Sequence, residues 1–143
     1  MSNQPDPMDC VSFNTRKVAR LLGQFYDRAL EPSGLKNTQF AALGVAAGTG
    51  PISITDLSRM METERTTLTR NLQVLERDGL IKLGAGVDGR SKTVVVTPKG
   101  RRRHEVALPL WAEAQEHVLQ AFGRKRWQSL RGELDAMRAS LHA

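Results

Sequence analysis

The chain has one cysteine, Cys10, in 143 residues, so no disulfide can close within it. Its three histidines, His104, His117 and His142, share no ligand-like spacing with each other or with Cys10, which argues against a zinc site. No apolar run approaches the roughly 20 residues of a bilayer span. The opening M-S-N-Q-P-D-P-M-D is polar and acidic, without the basic-then-apolar order of a secretion signal. No nucleophile–base pairing is recognisable. These absences point to a cytoplasmic binding protein without membrane, metal or cofactor, rather than an enzyme.

What is present is an ordinary globular balance, 40% apolar and 25% charged, in a length that suits one compact domain or a small module with helical extensions. A chain this short buries only about two thirds of its unfolded surface, so burial against a partner subunit would help it. The formal net charge is +6, and its placement is uneven. Residues 53–103 hold eleven basic and six acidic side chains, whereas the rest of the chain holds ten and nine. Nearly all the excess therefore sits in the middle third, as expected of a surface that meets a polyanion.

Apolar periodicity then places the elements. Val18, Leu21, Leu22, Phe25, Tyr26, Ala29 and Leu30 recur at helical steps, predicting an amphipathic helix over 9–30 that Pro32 and Gly34 end. A second helix is expected over 38–47 with Phe40 and Leu43 inward, broken by Gly48-Thr-Gly-Pro51. Ser53-Ile-Thr-Asp56 has the form of a capped start, opening a brief helix over 53–61. Thr63 or Glu64 caps the next, over 64–78, which Gly79 stops. Its buried stripe is Leu68, Leu72 and Leu75, and its other face carries Arg65, Thr66, Thr69, Arg70 and Gln73. Residues 80–83 and 93–97 read as strands. A long helix over 99–122 carries Pro109, expected to bend it. Beyond Gly123, Trp127, Leu130, Leu134, Met137 and Leu141 repeat at steps of three and four, a two-heptad seam that reads as facing a partner.

Between the two strands lies G-A-G-V-D-G-R-S-K, whose Gly84-x-Gly86-x-x-Gly89 has the spacing of a dinucleotide loop and also approximates a phosphate-binding loop. Either would need a helix directly after the glycines, because the helix N-terminus supplies the N–H groups that hold phosphate. Here Ser-Lys-Thr-Val-Val-Val-Thr comes next, a strand sequence. The glycines instead let a hairpin tip come close to another molecule. The fold class is mainly α with a small β-hairpin wing (α+β), a winged helix-turn-helix with further helices N- and C-terminal to it.

The chain resembles the multiple-antibiotic-resistance-regulator (MarR) family of bacterial transcription factors through Gly34-Leu35, Gln39-Phe40, Leu43, Leu57-Ser58, Thr67-Leu68-Thr69-Arg70, Leu75-Glu76-Arg77-Asp78-Gly79-Leu80-Ile81, Asp88-Gly-Arg90-Ser-Lys and Val96-Thr97-Pro-Lys-Gly100. The resemblance covers about residues 16–119 and implies a homodimer on pseudo-palindromic, double-stranded operator DNA, released by a small-molecule effector, aromatic acids among them, or by oxidation. It divides the chain into a disordered tail (1–8), a helical dimerisation region (9–36 and 100–143) and a DNA-binding lobe (37–99). Candidate DNA contacts are Ser53 and Thr55, then Arg65, Thr66, Thr67, Thr69, Arg70 and Asn71 on the recognition helix, and Asp88, Arg90 and Lys92 at the wing. Family matching sends Arg90 into the minor groove, with Asp88 holding its guanidinium. Phe13, Arg16 and Trp111 are candidates for an effector cleft, and Cys10 for oxidation sensing. Arg101-Arg-Arg103, at the positive end of a helix, calls for an outside reason such as phosphates or a partner's acids. The competing reading is a winged-helix module for protein contact.

Overall fold

The computed structural model describes residues 4–86, 89 and 92–142. Six helices and a three-stranded antiparallel sheet occur in the order α1 (Val11–Leu30), α2 (Asn37–Thr49), β1 (Ile52–Ser53), α3 (Ile54–Met60), α4 (Arg65–Arg77), β2 (Ile81–Ala85), β3 (Lys92–Val96), α5 (Pro98–Phe122) and α6 (Arg124–Leu141). The helices lie where periodicity places them, with ends shifted by a residue or two. Within the segment expected as a tail, a 3-10 turn at Pro7–Asp9 precedes α1, its Asp6 carboxylate accepting the Met8 amide.

Sheet order is β1-β3-β2, with Ile81 opposite Val96 and Leu83 opposite Val94. The expected hairpin is present, but β1 makes it a three-stranded sheet by pairing Ile52 with Val94. Two residues carry no periodicity, so β1 had no signature beside the capped start of α3. That cap forms as expected: the Ser53 hydroxyl accepts the Asp56 amide at 3.0 Å. Glu64 rather than Thr63 takes the cap position of α4, and its side chain makes no capping bond.

The core is confined to the middle of the chain. Leu30, Leu35, Leu43, Leu57, Leu68, Leu72, Leu75, Leu80, Ile81 and Val94 are all essentially sealed from solvent, with Phe40 and Val96 at its edge. Each such aliphatic side chain contributes about 1.5–3 kcal/mol relative to exposure. The flanking helices are different. Only Leu30 of α1 is buried, and no residue of α6 is. Val11, Phe13, Val18, Leu21 and Leu22 on α1 are exposed, as are Leu130, Leu134, Met137 and Leu141 on α6. Both amphipathic stripes exist as expected, yet a single chain leaves them uncovered. α5 runs through Pro109 as one helix.

A tight junction ties the lobe to α5. Thr97 caps α5 by accepting the Gly100 amide at 3.0 Å, donates its hydroxyl to Gly79 O at 2.7 Å, and its own amide bonds Leu80 O. Lys99 Nζ reaches Asp78 O at 2.9 Å, supplying positive charge to the C-terminal end of α4. A Cβ on Gly100 would stand 2.0 Å from Leu80 O, so only glycine fits. Nearby, the His104 ring stacks on Phe40 at 4.9 Å, with Trp111 beyond, and Nε2 lies 3.0 Å from where a Gly44 Cβ would be. Burial there holds the imidazole below its ordinary 6.5, against the opposing pull of Glu105.

Gly100→Ala should lower the unfolding free energy by about 1–3 kcal/mol in denaturant titrations, the cost of forcing atoms into a packed site; an unchanged midpoint would contradict the close approach. Stability should also decline as pH falls through 6.5, because the unfolded chain takes up a proton that folded His104 refuses. His104→Phe, which keeps the stack, should flatten that part of the pH profile, and an identical profile would remove His104 as its source.

Candidate nucleic-acid interface

The short turn between α3 and α4, the leucine stripe of α4 and the β2–β3 hairpin set the geometry of one surface. Leu68, Leu72 and Leu75 press α4 into the core, which forces its opposite face outward. At about 100° per residue, Arg65, Thr66, Thr69, Arg70 and Gln73 share one arc of about 140°. Arg65, Thr66, Arg70 and Gln73 are exposed, and Thr69 is half-buried. Thr67 is exposed but off this arc, and Asn71 is half-buried on the far side of it. Directly opposite the leucine stripe stand Thr66, Arg70 and Gln73, with Thr67 and Thr69 flanking them, while Arg65 and Asn71 lie closer to the stripe.

The partners of these side chains sort them further. Thr69 donates its hydroxyl to Arg65 O at 2.7 Å, leaving its lone pairs to accept. Among the described residues neither Arg65 nor Arg70 joins an ion pair, whereas Arg59 pairs with Asp56 and Arg77 with Asp78, each at 3.6 Å. Ser53 is engaged as the α3 cap, and Thr55 is half-buried with its carbonyl accepting the Ser58 hydroxyl. Lys92 is exposed at the start of β3, opposite Ala85. Asp88 and Arg90, the wing-tip candidates, lie outside the described residues. Of the arginine run that opens α5, Arg101 and Arg102 are exposed, while Arg103 is half-buried with its guanidinium against Gly34.

One residue that the sequence carried only inside a motif has a visible task. β2 is an edge strand, and Glu76 Oε2 in the last turn of α4 accepts its Leu83 amide at 3.2 Å. The carboxylate occupies an outward-facing donor that a neighbouring strand would otherwise take. It also ties the wing to the recognition helix. Nothing in periodicity points to this, since Glu76 is exposed and looks like any solvated helix residue.

The effector candidates do not meet within one chain. Phe13 and Arg16 are exposed in the first turns of α1, with Lys17 over the Phe13 ring, whereas Trp111 stacks on Phe40 at the core edge. Tyr26, which donates its hydroxyl to Gln115 at 2.5 Å, lies about 20 Å along α1 from Phe13. A cavity of about 280 Å³ does open between α1 and α5, lined by Phe25, Ala29, Leu110, Glu113, Ala114 and His117. Cys10 is exposed at the cap position of α1. Among the described residues no three His, Cys, Asp or Glu side chains gather as a metal site, and no helix is long and apolar enough to cross a membrane.

A short helix, a turn, a second helix with an outward arginine–threonine face and a hairpin beside it define a winged helix-turn-helix protein of the DNA-binding class. A sequence profile described as MarR family matches residues 33–91. The transcriptional regulator MosR of M. tuberculosis, solved in complex with DNA, is 42% identical with a TM-score of 0.85, covering 94% of this chain and 97% of that one. The HTH-type transcriptional regulator YwoH of Bacillus subtilis (strain 168) is 29% identical over 104 residues, 73% of this chain and 76% of YwoH. The transcriptional activatory protein BadR of Rhodopseudomonas palustris is 35% identical over 101 residues, 66% of this chain and 56% of BadR. This chain belongs to the MarR family and is a transcriptional regulator, not an enzyme.

Removing the Glu76 carboxylate tests the tie between helix and wing. Glu76→Ala should cost about 1 kcal/mol, the worth of one such hydrogen bond, and should speed hydrogen exchange at the Leu83 amide. Unaltered exchange there would mean that the bond does not hold in solution.

Proposed function

We propose that the protein is a homodimeric repressor of pseudo-palindromic operators, with α4 in the major groove, Arg90 in the minor groove, and release by a small-molecule effector. The observation that carries the reading is the arginine- and threonine-bearing face of α4, turned outward by a fully buried leucine stripe. A helix of roughly 10–12 Å fits the major groove, and its arginines suit phosphate or guanine edges. The uncovered stripes on α1 and α6 support the dimer, since contiguous exposed apolar faces mark association surfaces. The α1–α5 cavity, apolar apart from Glu113 and His117, is a better effector site than the separated Phe13, Arg16 and Trp111. Oxidation through Cys10 rests on its exposure alone, so ligand release is preferred.

The test is a gel shift on the DNA upstream of the protein's own gene. Affinity should fall steeply with salt, log K by about 0.9 per phosphate neutralised for each decade of salt. Arg70→Ala and Arg90→Ala should each weaken binding by roughly 1–3 kcal/mol with the dimer intact. Normal operator affinity in both variants would overturn the site assignment. No sequence-specific shift at low salt would favour a protein-contact module.

A further inference from the structure

The turn between α3 and α4 contains Glu62, the only non-glycine residue among those described with a positive φ, 51°. Its hydrogen bonds explain the conformation. The Thr63 amide bonds Ser58 O at 3.1 Å and the Glu62 amide bonds Arg59 O at 3.2 Å, the nested pair that closes a helix through a left-handed residue. Glycine is the residue that this position favours, because a Cβ there is strained. Gly79 at the end of α4, with φ 75°, obeys that preference; Glu62 does not.

The Glu62 side chain accounts for the departure. One carboxylate oxygen meets Arg138 at 3.4 Å and the other meets His142 Nε2 at 2.9 Å. Both partners stand in the last turn of α6 or just past it, eighty residues on in the case of His142. α6 has no buried residue of its own. Its near end is set by Gly123 and by the ion pair of Arg124 with Glu116, and its far end is set by this contact. A helix bearing one of the association stripes is thereby pinned to the turn that aims α4.

We propose that Glu62, gripped by Arg138 and His142, is a specificity-determining brace that fixes the angle between each reading head and the dimerisation helices, and so the spacing between operator half-sites that the dimer accepts. The proposal rests on the dimeric DNA-binding reading above. It explains why a strained turn position carries a carboxylate instead of glycine. The brace touches no base, so it acts on spacing and not on which bases each half-site prefers.

The test measures binding of the full-length dimer to its operator and to operators with the spacer one base pair longer or shorter. Glu62→Gly keeps the turn in its favoured backbone conformation while removing the carboxylate. Arg138→Ala with His142→Ala removes the other side through exposed residues far from the turn's backbone. Each should reduce the preference for the native spacer by about two- to five-fold, the scale of an exposed ion pair, with base preference within a half-site unchanged. Combining all three substitutions should be no worse than either set, because they break one contact. An unchanged spacer preference in both sets, or effects that add in the combination, would overturn the brace while leaving the DNA-binding reading in place. Failure of the wild-type protein to bind any operator would overturn both.

Discussion

The approach of Gly100 to Leu80 is the constraint on which the architecture turns. Here the end of the recognition helix, the first wing strand and the long helix α5 meet within a few residues. Backbone passes backbone at a distance that admits no side chain. Thr97 stitches the three together, capping α5 with one lone pair while its hydroxyl and amide bond the chain at Gly79 and Leu80. Lys99 adds its ammonium to the carbonyl end of α4. A change in the direction of α5 is thus transmitted to α4 and β2 without an intervening flexible segment.

Much of this was legible from residue types alone. The leucine spacing of α4, the serine cap of α3 and the β-branched run of β3 each reflect a local preference that the surroundings reinforce. The apparent nucleotide loop was legible as a turn for the same reason: a strand, β3, begins at Lys92 where a phosphate site would need a helix. The features that escaped are non-local. β1 is two residues whose only reason to be extended is the vacant side of β3. Glu76 and Glu62 are ordinary polar residues until the folded chain sets a donor opposite each. Of the candidate site, the outward face of α4 was visible as a period. Phe13, Arg16 and Trp111 could be grouped only by analogy: the first two stand exposed in the first turns of α1, while Trp111 of α5 packs against Phe40.

The charge excess of the middle third also divides once side chains are placed. Part of it is internal: Arg59 and Arg77 are matched by neighbouring aspartates, Lys99 completes a helix end, and Arg103 leans on Gly34. Arg65, Arg70, Lys92, Arg101 and Arg102 project without such engagement among the described residues. Net charge marks a region of the chain; pairing separates its engaged cations from those left projecting.

The hydrophobic core lies within residues 30–107 apart from Ala114, while α6 shares none of it. Selection can therefore act on the apolar positions of α6, as distinct from Arg138 and His142, without disturbing that core. On the dimer proposed above, drift along Leu130, Leu134 and Met137 would alter which chains recognise one another and leave the code read from DNA untouched. Duplicated regulators of this design can thus become insulated from subunit exchange in the same cell before they diverge in the operators they occupy.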